Sequence, residues 1–138
     1  MTAVLIATAG CEASGAAGRS AESELEAPRV VLGASFVGGH PAGLRNFLHP
    51  DLIVQPPKPD SALRAAAAVD YLERLARETR VRHSELRPAR ISREGQFLLE
   101  QGTWALESTR WYRSSYTLRW RKTPEGWRVV LWRWTSFR

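Results

Sequence analysis

A chain of 138 residues, 43% apolar and 25% charged, has room for one domain with one core. Its formal net charge is +6, and the excess falls in residues 61–138, the stretch before them being slightly acidic. The single cysteine, Cys11, excludes an internal disulfide and a cysteine-cluster metal centre.

In chain order, residues 1–22 come first. Thr2 to Gly10 is an apolar run of small residues leading to Cys11, as at the end of a bacterial lipoprotein signal, and an Ala/Gly/Ser-rich tether follows. An export signal needs a basic start, yet no lysine or arginine precedes Arg19. The run is also far short of the roughly 20 residues that cross a bilayer. The expectation is a disordered extension ahead of a domain at 23–138, in a cytoplasmic protein; the alternative is an exported lipoprotein anchored through Cys11.

Helical patterning starts at Ser23, with Pro28 tolerable in a first turn and Gly38-Gly39 as the stop. A short second helix is expected over 42–48, broken by His49-Pro50-Asp51. Leu52–Gln55 reads as a strand. Asp60 or Ser61 would cap a helix running to about Thr79, with apolar residues every three or four positions. Val81–Ile91 reads as a strand that Pro88 makes edge-like or bulged.

The last third reads as a β-meander over 96–107, 111–122 and 127–137, and it holds all six tryptophans. In its middle run Tyr112, Ser114, Tyr116, Leu118 and Trp120 alternate with Arg113, Ser115, Thr117, Arg119 and Arg121, so aromatics and guanidiniums take opposite faces. That separation argues against a single-strand nucleic-acid platform, which needs both on one face. In the last run, strict alternation puts Val130, Trp132 and Trp134 on one side and Trp127, Val129 and Leu131 on the other. A strand apolar on both sides is covered on both, and the simplest second cover is another copy of the chain. Helices followed by a run of strands predict an α+β domain: a curved antiparallel sheet with helices on its concave face.

Three segments, 39–54, 97–106 and 116–135, resemble the nuclear-transport-factor-2-like superfamily, and its SnoaL-like bacterial members most. They are a helix–His-Pro-Asp–strand entry, a strand with Gly102 two before Trp104, and a strand–Gly126-Trp127 turn–strand ending in Trp134. The resemblance implies a cone-shaped α+β barrel with a pocket between helices and sheet, and dimerisation through the sheet's outer face. Its ketosteroid-isomerising members use a tyrosine in the first helix and an aspartate after the first strand. Here no tyrosine precedes Tyr71, and Gln55-Pro56-Pro57 stands where the base would fall, so that chemistry is not expected.

Glu100 shares a strand face with Leu98, Gly102, Trp104 and Leu106, which makes it the candidate acid/base; the competing reading is an ion pair with an arginine such as Arg133. Tyr71, His83, Trp104, Tyr112, Tyr116, Arg133 and Trp134 are the candidate ligand-binding residues. The expected ligand is a small hydrophobic or aromatic molecule. Neither metal nor other cofactor is expected, since His40 and His49 have no acid or cysteine cluster nearby. A non-catalytic homodimeric binding module and a single-stranded nucleic-acid binder are the alternative functions.

Overall fold

The computed structural model describes residues 22–138; the N-terminal extension and its Cys11 lie outside them. Helix α1 is helical over 22–34. A 3-10 turn at Leu44–Phe47 takes the place of the expected second helix, and strand β1 follows at once over Leu48–Gln55. The residues His49-Pro50-Asp51 therefore belong to the strand. Pro50 has no N–H to give a ladder, and it sits where the pairing of β1 loses register, between Leu48 and Ile53. Helix α2 spans Ala65–Thr79, later than Asp60 or Ser61 would have started it. The two-residue strand β2, Leu63–Arg64, pairs with β1 in the gap, and Arg64 precedes the helix with no side-chain cap.

Strands β3 (His83–Glu94), β4 (Phe97–Glu107), β5 (Trp111–Thr123) and β6 (Gly126–Trp134) form the antiparallel meander. The sheet has six strands in the order β2-β1-β6-β5-β4-β3. Because β1 runs parallel to β6, the sheet is mixed rather than antiparallel throughout, and its order leaves β2 and β3 as edges that do not close into a barrel. The α+β arrangement of a curved sheet under helices stands. As Pro88 foretold, β3 is an edge strand with a bulge, its register shifting between Pro88 and Arg90. Gly102 lies opposite that bulge, and a Cβ there would overlap the carbonyl oxygen of Arg87.

A second bulge corrects the reading of the last strand. Trp120 pairs with Val129 and Arg119 with Leu131, leaving Val130 as an extra residue. That one residue resets the alternation. Trp127, Val129, Trp132 and Trp134 are all buried under the helices, so the two-sided apolar strand of strict alternation does not occur. The core lies between this concave face and the apolar stripes of α1 (Leu25, Leu32), continued by Phe36 in the turn after it, and α2 (Ala68, Leu72, Ala76). Phe36 meets the rings of Trp104 and Trp132 edge-on at 4.9 and 5.9 Å, so indoles fill the centre. None of the described helices is long and apolar enough to cross a membrane.

Candidate functional site

Period two along β4 and β5 carries Glu100, Tyr116 and Trp120 to the concave face, and α1 lays Arg29 over them. Glu100 is wholly buried, and Arg29 is 9% exposed. The guanidinium grips the carboxylate in a two-pronged pair: Nε donates to Oε2 at 3.0 Å and Nη2 to Oε1 at 2.8 Å. The Tyr116 hydroxyl donates to Oε2 at 2.6 Å and the Trp120 indole N–H to Oε1 at 3.3 Å. Each oxygen thus accepts two hydrogen bonds, which is about the full capacity of a carboxylate. A proton-abstracting group needs a free lone pair within reach of substrate, and this one has none to spare.

The electrostatics follow. Burial alone would weaken Arg29's hold on its proton, but hydrogen bonding and attraction to Glu100 outweigh it and raise the guanidinium above its ordinary value. Burial, then the neighbouring carboxylate, push the Tyr116 phenol far above the usual tyrosine range. It is a fixed donor, not an acid for use near neutral pH.

Of the residues picked from sequence, Glu100 and Tyr116 come together. Trp104, Trp134 and Tyr71 make one aromatic wall, with Trp134 5.7 Å from Trp104 and 6.4 Å from Tyr71. The Trp104 N–H donates to Ser84 Oγ at 3.0 Å, and the Tyr71 hydroxyl donates to Asp60 at 3.2 Å, giving that aspartate a role other than a helix cap. Tyr112 is half-buried beneath Arg110. His83 is exposed at the start of β3, 3.3 Å from Glu85, which Arg87 also holds. Arg133 is on the sheet's outer face, its Nη2 3.5 Å from Thr117 Oγ1, so the arginine that meets Glu100 is Arg29 instead. Arg29 and Trp120 were missed, though both left a signal. Arg29 interrupts the apolar helical stripe Leu25, Leu32, Phe36, and Trp120 shares the strand face of Tyr116.

An opening of about 640 Å³ lies elsewhere, between α1 and the free edge of β3. Val30, Gly33 and Ala34 of α1, with Val37 just beyond it, give one wall, and residues 82–88 give the other. Successive strand residues face opposite ways, so an unbroken run lines a groove only by its edge. Gly33 lets the helix come this close: a Cβ there would stand 3.0 Å from the carbonyl oxygen of Ser84. Val30 is 61% exposed at the rim, and Arg29, Arg82 and Arg87 add positive charge against Glu26 and Glu85. Among the described residues no group of three or more His, Cys, Asp or Glu side chains is placed to hold a metal ion.

The sequence matches no family model and no curated protein. The fold does match solved structures. An NTF2-like protein with a cystatin-like fold from Novosphingobium aromaticivorans is similar at TM-score 0.70 and 18% identity, over 89% of this chain and 86% of that one. An NTF2-like protein of unknown function from Pseudomonas putida is similar at TM-score 0.69 and 13% identity, over 86% and 87%. A third, also of unknown function, from Silicibacter pomeroyi, gives 0.68 and 11%, over 88% and 98%.

Proposed function

On the NTF2-like fold that this chain adopts, we propose a small-molecule-binding domain of the SnoaL-like kind, with its ligand in the groove between α1 and β3. The carrying observation is a contrast. The groove is of ligand size and open, while the aromatic interior is filled by its own side chains and Glu100 is saturated with donors. An apolar or aromatic body would lie on Val30, Ala34 and Val37, and an acidic substituent would meet Arg82. Glu100 then serves to fasten α1, not to turn over substrate. Titration with 1-anilinonaphthalene-8-sulfonate, an apolar aromatic anion, tests this. Saturable fluorescence enhancement is expected, and Ala34→Trp, which fills the groove, should abolish it. Equal enhancement in that variant would remove the groove from consideration.

A second reading concerns assembly, and we infer a homodimer through the outer sheet face. What supports it is no longer the last strand's alternation. Ile53, Phe97, Val130 and Leu131 line a shallow groove of about 350 Å³ there, and Arg119 Nε is buried with no partner among the described residues. A second copy would cover the apolar residues. Sedimentation velocity should give a dimer, and Leu131→Glu should shift it to monomer; a monomeric wild-type chain would end this reading.

A further inference from the structure

The outer sheet face divides along β5. Beyond the apolar half at Arg119 and Leu131, period two brings Arg113 and Ser115 to the surface, and Thr117 takes the same side but is buried. Two grooves of about 570 and 630 Å³ adjoin there and share Ser115, Thr135 and Ser136. The first adds Lys58, Thr117 and Arg133; the second adds Thr103, Arg113 and Arg138. Neither has an aspartate or glutamate in its lining, unlike the α1/β3 groove with its Glu26 and Glu85. Nor do these four cations take part in any ion pair among the described residues, whereas Arg29, Arg45, Arg87, Arg119 and Lys122 do.

Hydrogen bonds tie the Thr135 segment to β5 beside these grooves. Thr135 Oγ1 accepts the Ser115 backbone N–H at 3.0 Å, and Ser114 Oγ donates to the Thr135 carbonyl at 2.7 Å. Thr117 and Arg133 are cross-strand partners, which is why the guanidinium rests against that hydroxyl. Rotatable O–H donors between planar guanidiniums suit an anion with several acceptor oxygens, and like charges collected in a concavity raise the local potential. A carboxylate ligand would use one fork; the spread of donors over two adjoining grooves suits a phosphate-bearing one.

We infer that this corner of the outer face binds a phosphate-bearing anion, with Arg113 and Arg133 as its forks and Ser115 and Thr117 as neutral donors. It is separate from the α1/β3 groove and does not depend on it. The phosphate could come from a small phosphorylated molecule or from a nucleic-acid strand, and the two arms of one experiment separate them. The full chain is titrated with inorganic pyrophosphate, and in parallel with an oligothymidylate, by ¹H–¹⁵N NMR and calorimetry.

Saturable binding of pyrophosphate, with shifts centred on Ser115, Thr117 and Ser136, is the expected result. The double variant Arg113→Gln/Arg133→Gln should weaken it at least about tenfold, the scale of losing charged hydrogen bonds. Arg90→Gln/Arg93→Gln, which removes as much charge from β3, should bind as the wild type does and so exclude a net-charge effect. Binding of oligothymidylate alone, with the same loss in the double variant, would assign the phosphate to a strand. No binding in either arm, or equal loss in both double variants, would overturn the proposal. The four substituted arginines are exposed, and an unchanged near-ultraviolet dichroism spectrum confirms folding.

Discussion

Arg29 and Glu100 each make the other tolerable. A buried guanidinium without its carboxylate is left charged and unpaired, which costs about 3–5 kcal/mol. Glu100→Leu and Arg29→Met alone should each lower unfolding free energy by that order in urea titrations. The double variant should recover part of the loss, because two apolar groups leave no orphaned charge. Tyr116→Phe should cost less, about 1–3 kcal/mol, since one donor among four is lost. A second prediction sits at Glu24, which accepts Lys122 Nζ at 2.7 Å and Trp127 Nε1 at 2.6 Å. Those two hydrogen bonds, Lys122 first, hold its carboxyl below the usual glutamate value. A lowered folded value means that the contribution is complete above the ordinary glutamate range and is lost as pH falls through the lowered one. Trp127 fluorescence should therefore change on acidification below about pH 4, and Glu24→Gln should abolish that step.

Elements divide by how far local pattern controls them. Strand period, the bulge at Pro88 and the faces of β5 were legible, because alternation and a missing N–H act locally. Glu100's place on the concave face was legible for the same reason. Its partner was not, since α1 is brought to β4 by packing across the core and not by any short-range signal. The phase of β6 was misjudged because one unpaired residue, Val130, has no sequence signature. Helix α2 started late because β2 pairing outcompeted a cap at Asp60. The bulge can be tested directly. Deleting Val130 keeps Trp132 and Trp134 on the concave face, so near-ultraviolet dichroism should stay native-like. Deleting Val130 and Leu131 together makes Trp132 the neighbour of Val129, turns both indoles outward and should abolish cooperative melting.

For the molecule as a whole, its layers rest on a few interlocking rings. Phe36, in the turn just past α1, contacts indoles of both β4 and β6, so Phe36→Ala should cost about 3–5 kcal/mol and loosen helix and sheet together. Chemical denaturation followed by fluorescence and by far-ultraviolet dichroism should still give coincident curves. The parallel pairing of β1 with β6 has a further consequence, for how the protein is born. Its earliest strand has only the two-residue β2 beside it until β6, the last strand of the sheet, is made, and Leu52 and Val54 stay without a finished sheet until then. Strand β6 must be made before the domain can close, so a chain stalled or clipped ahead of it has work for chaperones rather than a smaller folded protein.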